Sequence, residues 1–228
     1  MALIPLDLPA GVYRNGTDLQ SQGRWRDSNL VRWFDNTLRP IGGWRTRSDT
    51  ASAGQVRGMK SWIANNSDRW IAAGSYNKLY AYSGAGVQYD ITPTGLTAGN
   101  ENALNPVGFG TAFYGREYYG IARQEAVTIT PATTWSMDSF GQYLVACSSS
   151  DGKVYEWQLS TGTIAAPVAN APVNNRSILV TEERFLMCLG AGGNPRLVQW
   201  SDRENNTVWT PAATNEAGSL ELQTTGRI

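Results

Sequence analysis

The sequence contains no histidine and only two cysteines among its 228 residues. Without histidine the chain has no Ser-His-Asp or Cys-His triad, no histidine metal ligand and no histidine acid–base catalyst. Cys147 and Cys188 are too few for a zinc site of their own or for a disulfide framework. Both lie in apolar runs, so we expect buried free thiols in strands and predict neither a metal ion nor a cofactor.

Charge is also scarce: 19 basic and 19 acidic residues cancel, and together they make up 17% of the chain, against about 25% in an average soluble domain. A neutral chain of this kind is not a polybasic nucleic-acid-binding protein. No apolar run approaches the roughly 18 residues that a membrane-spanning helix needs. The sequence therefore predicts no membrane span. The first seven residues also lack the basic region of a signal peptide, so no signal peptide is predicted.

What the sequence does contain is short runs rich in Val, Ile, Trp and Tyr, separated by Gly, Asn, Ser and Asp. This pattern is typical of a many-stranded antiparallel protein, and no longer stretch has a helical stripe. The runs recur as a unit of strand, turn, strand, turn and strand. The three units begin at Trp62, Trp135 and Ser177, and their second strands begin eight residues later at Trp70, Tyr143 and Phe185.

The spacing of these units predicts the fold class. Tyr143 and Phe185 are 42 residues apart, and a period of about 40 residues with three or four strands per unit is typical of β-propeller blades. We therefore predict an all-β protein of antiparallel propeller-like repeats, with about three blades and the start of a fourth at Ser219. Because a closed propeller needs about four blades or more, the array is expected to be open or truncated. Repeat-position aromatics that should pack the blades together are Trp62, Trp70, Tyr143, Trp157 and Trp200.

The chain is expected to divide into an N-terminal arm rich in Arg and Trp over residues 1–55 and a repeat domain over 56–228. Arginine suits planar pairing and stacking on aromatic rings, so the arm is expected to dock on its own domain or on a neighbouring subunit. Binding of nucleic acid is a weaker alternative, because acidic residues are interleaved with the arginines. Residues 94–130 are predicted to be an insertion, and the aromatics of its tract 108–120 favour packing over a disordered linker.

Carboxylates are the catalytic groups that remain, and some propellers hydrolyse glycosides with paired Asp and Glu. In this chain the candidates fall in apparent turns, where acids are usually structural. We therefore predict that the protein is not an enzyme, with a carboxylate glycosidase as a minor alternative. The acids concerned are Asp68, Asp138, Asp151, Glu182, Glu183 and Asp202.

Four blocks of sequence resemble a family of tailed-bacteriophage virion proteins, and their order along the chain carries the resemblance. The first block combines 4–17, 29–33 and 39–44; the second is the glycine–aromatic tract 108–120; the third combines 170–174 and 179–184; the fourth combines 190–202 and 209–218. Relatives of this kind are similar in build to the tail nozzle and packaged-DNA stabilisation proteins of short-tailed phages.

The resemblance implies a structural virion component, either a ring-forming tail nozzle or hub or a head–tail junction subunit that contributes to the DNA channel. Expected partners are further copies in a ring, six-fold by analogy, other tail or portal and adaptor proteins, and packaged DNA through non-specific contacts. The protein would be made in the host cytoplasm and reside in the virion. The alternative is a receptor- or carbohydrate-binding tail module, a lectin-like propeller. Expected interface residues are Arg24, Trp25, Arg32, Trp33, Arg45, Tyr114, Tyr118 and Tyr119.

Overall fold

The computed structural model describes residues 9–43, 45–103, 130–223 and 226. The fold is all-β and its sheets are antiparallel, which confirms the predicted fold class. The chain divides into two units, Met1–Thr46 and Arg47–Ile228. Within the described residues no helix is long and apolar enough to cross a membrane.

The first unit is built on one hairpin. Strands β1 (Val31–Phe34) and β2 (Thr37–Pro40) pair antiparallel across a two-residue turn. Asp35 and Asn36 form this turn with φ values of 47° and 54°. Two consecutive positive φ values match the twist of the flanking strands, and Asp and Asn tolerate them better than most residues.

The second unit contains three four-stranded sheets, each with its strands in chain order. Sheet 1 consists of β3 (Met59–Ile63), β4 (Arg69–Gly74), β5 (Leu79–Ser83) and β6 (Gln88–Asp90). Sheet 2 consists of β7 (Trp135–Phe140), β8 (Tyr143–Ser148), β9 (Val154–Trp157) and β10 (Ala166–Pro167). Sheet 3 consists of β11 (Ser177–Val180), β12 (Leu186–Leu189), β13 (Leu197–Trp200) and β14 (Gly218–Glu221).

The first strands of the three sheets lie side by side, β3 next to β7 and β7 next to β11. Sheet 2 therefore packs between sheets 1 and 3 in an open, propeller-like row. Each sheet has a leading face, which is turned toward the next sheet in chain order, and a trailing face on its opposite side. The prediction that Ser219 begins a fourth unit is wrong, because β14 pairs with β13 and satisfies the backbone groups at that edge of sheet 3.

Tryptophan dominates the contact between sheets 1 and 2. Trp62 and Trp70 from the leading face of sheet 1 pack with Trp135 and Trp157 from the trailing face of sheet 2. The rings of Trp70 and Trp157 meet edge to face, with centroids 5.2 Å apart and an interplanar angle of 77°. Their neighbours in sheet 1 include the small residues Ala72 and Ala81, which leave room for the large rings between the sheets.

Two indole N–H groups also cross this contact. Trp62 Nε1 donates to the Gln142 carbonyl oxygen at 2.9 Å, and Trp135 Nε1 donates to that of Ser75 at 2.7 Å. A buried indole needs such a partner, so each bond satisfies the ring and joins the two sheets. The Trp135 ring lies directly on Gly74, where a Cβ atom would clash with it.

Both cysteines lie in the contact between sheets 2 and 3, on β8 and β12, and both are buried free thiols. This confirms the prediction for Cys147 and Cys188. Burial raises the pKa of Cys147 to about 12, and burial likewise raises the pKa of Cys188 above its ordinary value. The thiols therefore act as small apolar side chains of the core.

Sequence alignment of the repeats misplaces some aromatics by one residue. Trp157 pairs with Leu144 and is buried against sheet 1, whereas Trp200 pairs with Met187 and is half-buried on the leading face of sheet 3. A one-residue shift reverses the face to which a strand residue points. Of the five expected packing aromatics, Trp62, Trp70 and Trp157 are buried, while Tyr143 and Trp200 are half-buried.

The first turn of sheet 2 is shorter than the sequence suggests. Strand β7 continues to Phe140, and only Gly141 and Gln142 connect it to β8. Gly141 has a φ of 64°, which a glycine adopts without strain. Asp138, which the sequence places in the turn, therefore lies within strand β7.

Replacement of Gly74 by alanine tests the contact between sheets 1 and 2. Because the new Cβ would overlap the Trp135 ring, Gly74→Ala is expected to lower the free energy of unfolding by about 1–3 kcal/mol. Urea titration followed by tryptophan fluorescence measures it. The control is Gly162→Ala, where no atom lies within 4 Å of the new Cβ, and its effect should stay within about 0.5 kcal/mol. Equal stabilities of the two variants would contradict this account of the contact.

Candidate functional site

The expected interface residues of the first unit divide into a half-buried aromatic pair and exposed arginines. Trp25 and Trp33 are half-buried, and their ring centroids are 5.7 Å apart. Within the described residues Trp25 Nε1 is buried and lacks a hydrogen-bond partner. Arg24, Arg32 and Arg45 are exposed.

Arginine in this unit stacks on Tyr and Phe. The Arg24 guanidinium lies 5.4 Å from the centroid of the Tyr13 ring, and that of Arg39 lies 4.8 Å from the centroid of the Phe34 ring. Arg14 also pairs with Asp27 at 2.9 Å. These are exposed contacts that order the surface of the unit and contribute little to stability. The other three expected interface residues, Tyr114, Tyr118 and Tyr119, lie outside the described residues.

Three of the six acids considered for catalysis accept hydrogen bonds within their own sheet or turn. Asp68 Oδ2 accepts from Asn66 at 2.7 Å, and Asp202 Oδ1 accepts from the backbone N–H of Glu216 at 2.8 Å. Asp151 Oδ2 accepts from the Tyr155 hydroxyl at 2.5 Å. Among the residues that the structure describes, no three His, Cys, Asp or Glu side chains are grouped so that they could hold a metal ion.

Asp138 differs from these acids because its carboxylate contacts all three sheets. Oδ1 lies 2.7 Å from Lys60 Nζ on β3, and Oδ2 accepts the backbone N–H of Val180 on β11 at 2.9 Å. Burial alone would raise the pKa of Asp138, but hydrogen bonds from Lys60 and from the backbone of Val180 and Ser139 outweigh it and hold the pKa below its ordinary value. The sequence interpretation missed this role, although the alternation of Ser136 and Asp138 with Trp135 and Met137 is the strand signal that could have revealed it.

A second link between sheets 2 and 3 lies beside Asp138. Ser136 Oγ donates to the carbonyl oxygen of Ile178 at 2.8 Å and accepts from its backbone N–H at 3.1 Å. Side chains on the leading face of β7 therefore bind backbone groups of β11. Without these bonds, that edge of β11 would be unpaired. These bonds set how one sheet is positioned on the next.

The leading face of sheet 3 is apolar and has no further sheet packed against it among the described residues of its unit. Two cross-strand rows form it, each running across neighbouring strands: Leu179, Met187 and Trp200 in one, Leu189, Val198 and Leu220 in the other. Leu179 is 37% exposed and Leu220 is 57% exposed, and the other four are half-buried. The corresponding faces of sheets 1 and 2 are buried in the two core clusters.

One end of this face contains an apolar cavity of about 260 Å³, lined by Thr181, Phe185, Met187, Trp200 and Glu216. Trp200 Nε1 donates to the Glu216 carbonyl oxygen at 2.8 Å, which holds the ring on β14. Gly218 lies beneath the ring, and a Cβ atom there would come within 2.5 Å of Trp200. The indole is therefore presented flat as one wall of the cavity.

The trailing face of sheet 1 is the other exposed sheet face of the row. Met59 is 67% exposed and Ile63 is 61% exposed, and Ile71 and Tyr82 on the same face are half-buried. The segment that precedes β3 covers only part of it, where the backbone N–H of Ala53 donates to the Tyr80 hydroxyl at 3.2 Å. Ser61 and Arg69 lie on the same face and are exposed. Among the described residues of its unit, the row thus exposes a face at each end, apolar on sheet 3 and mixed on sheet 1.

Comparison with known proteins gave no match. No protein-family model matches it, and neither the curated proteins nor the solved structures contain a significant match. The candidate site is therefore defined by the geometry of the two exposed sheet faces and by the carboxylate that joins the sheets between them.

Substitution of Asp138 tests its role across the three sheets. Because the folded-state pKa lies below the ordinary value of 3.8, the carboxylate's contribution is fully present above that pH and is lost as the pH falls through the folded-state pKa. Asp138→Asn should lower stability at pH 7 by about 1–3 kcal/mol, because buried donors lose a charged acceptor. It should also lose less stability than the unsubstituted protein between pH 7 and pH 3.

Urea unfolding at the two pH values measures both effects. Asp49→Asn, the same change at an exposed position outside the sheets, is the matched control and should behave like the unsubstituted protein. An Asp138→Asn variant with unchanged stability at pH 7 would show that the carboxylate does not hold the sheets together.

Proposed function

We propose that this chain is a structural component of a tailed-phage virion, a ring-forming subunit of the tail nozzle or hub or of the head–tail junction. The observation that carries the proposal is the apolar leading face of sheet 3, where Leu179 and Leu220 are exposed. Contiguous exposed apolar surface of this kind marks sites of protein association. The four sequence blocks that resemble phage virion proteins are the reason for proposing a tailed-phage virion as the assembly.

In this proposal the protein acts through shape and surface. Indole hydrogen bonds and the Asp138 carboxylate join the sheets of the row. The exposed arginines of the first unit, Arg24, Arg32 and Arg45, suit docking on portal, adaptor or tail proteins and non-specific contact with packaged DNA. The proposal includes no catalytic group and no cofactor.

Analysis of purified virions tests the proposal. Mass spectrometry of particles from the phage that encodes this chain should detect it in a fixed ratio to the portal protein. Cryo-electron microscopy of the same particles should place the three sheets in a ring at the tail or below the portal. Presence of the chain in infected cells together with its absence from intact particles would overturn the proposal.

The cavity beside Trp200 favours one second function, a carbohydrate-binding tail module. A flat indole wall is a surface on which a sugar ring can stack. A glycan array made from host surface polysaccharides should then show selective binding that Trp200→Ala removes. Trp33→Ala, which truncates a half-buried tryptophan of the first unit, should leave that binding intact. An array without any bound glycan would eliminate this function.

A further inference from the structure

The first three strands of sheets 1 and 3 pair in the same register. One shift of 117 positions relates the pairs Ser61↔Ile71 and Trp70↔Ser83 of sheet 1 to the pairs Ile178↔Cys188 and Met187↔Trp200 of sheet 3. The shift holds across the pairings of the first three strands of both sheets, and the first loop has five residues in each. Each position on these three strands of one sheet therefore has a defined counterpart on the other.

This correspondence gives the two exposed faces a definite relationship. Sheet 3 packs its trailing face, with Ile178 and Val180, on the leading face of sheet 2. The counterparts of these residues on sheet 1 are Ser61 and Ile63, and they lie on its exposed trailing face. The row therefore exposes a leading face at one end and a trailing face at the other. Within the row, each contact joins one face of each kind.

We propose that the leading face of sheet 3 binds the trailing face of sheet 1 in a second copy of the chain, and that two copies close into a ring of six sheets. The inference deepens the proposed function by naming the partner of the exposed face, and it rests on that function for its biological setting. Propellers have about four to eight blades, and six is the only multiple of three in that range. A head-to-tail contact closes when the rotation that it repeats completes a circle, here after two copies of three sheets.

The internal contact between sheets 2 and 3 predicts which residues meet. There Ser136 binds the backbone of Ile178, and Asp138 binds that of Val180. The repeat counterparts of Ser136 and Asp138 on sheet 3, matched by strand pairing and by distance from the turn, are Ser177 and Leu179. In the proposed contact Ser177 therefore lies against Ser61 of the second copy, and Leu179 lies against Ile63.

The apolar cavity supports the same pairing. Arg69 is paired with Ile63 across β3 and β4 and is exposed. Its counterpart on sheet 3 is Leu186, which is buried beside Phe140. By the same correspondence Arg69 of the second copy would enter the cavity formed by Phe185, Trp200 and Glu216. An arginine there has aromatic surface on which its guanidinium can stack.

A pair of engineered cysteines tests the contact, with Ser61→Cys in one preparation of the full chain and Ser177→Cys in another. A disulfide forms only where the two Cα atoms come within about 7 Å. Mixing the preparations under mild oxidation should give a disulfide-linked dimer, and neither preparation should form one alone. The native Cys147 and Cys188 are buried and should not contribute. A dimer of Ser177→Cys alone would show that two leading faces meet and would overturn the proposal.

The chain with both substitutions tests closure of the ring. Sheet 2 lies between Ser61 and Ser177 of one chain, so a disulfide within the chain is excluded. A closed pair should give a single oxidised species of twice the 24.9 kDa of one chain, whereas an open row should give a ladder of larger products. The ladder would refute closure at two copies, and a monomer that forms no disulfide would refute the contact itself.

A charge placed in the contact supplies an independent test that does not depend on cysteine chemistry. Leu179→Arg should halve the mass measured by light scattering and leave the circular dichroism spectrum unchanged. Ile164→Arg is the matched control, because Ile164 is 48% exposed and lies outside both faces; its mass should stay that of the unsubstituted protein. Loss of mass in both variants, or in neither, would contradict the assignment of the face.

These outcomes separate the inference from the proposed function. A ring of two copies in solution together with absence from virions would support the contact and reject the virion role. Presence in virions without the cross-link between positions 61 and 177 would keep the virion role and reject this contact, leaving the exposed face to a different virion protein or to further sequence.

Discussion

The position of the three sheets depends on one carboxylate. Asp138 lies on the middle one of the three first strands, and it binds the Lys60 ammonium on one side and the Val180 backbone N–H on the other. Apolar packing between sheets has little directional preference, so it would allow neighbouring sheets to slide. Hydrogen bonds to an ionised acceptor are short and directional, and here they fix both contacts of the middle sheet at once.

The rest of the packing follows from that placement. With the first strands held side by side, large side chains fill the contact between sheets 1 and 2. These are Trp70, Trp135 and Trp157. Their size is tolerated because they face small residues such as Ala72 and Gly74, and the Trp135 indole N–H reaches the Ser75 carbonyl of the adjacent sheet. The contact between sheets 2 and 3 uses smaller groups, the cysteines among them.

Composition and periodicity were sufficient to predict the all-β class and the three strand-turn-strand units, because alternation and turn residues are local signals. The faces to which Trp157 and Trp200 point could not be predicted the same way. Loop lengths differ between sheets 2 and 3, and a difference of one residue reverses the face to which a side chain points. Aligning similar residues of the two units therefore assigns some of them to the wrong face. Asp138 was misassigned for a related reason: its hydrogen bonds reach positions 60 and 180, which only the folded chain brings near β7.

Aligning the repeats misplaces single residues, but the repeat does predict which faces of the sheets pack against each other. In a row of sheets, each contact joins a leading face to a trailing face, so a row of any length ends in one of each. Ends of this kind are costly to leave in water, since they expose apolar residues such as Met59 and Leu220 that interior sheets bury. A protein with such ends is most stable where something of matching plan covers them. A second copy meets that requirement with no new surface, because the first three strands of its sheet 1 pair in the same register as those of the sheet 3 that the interior of the row already accepts.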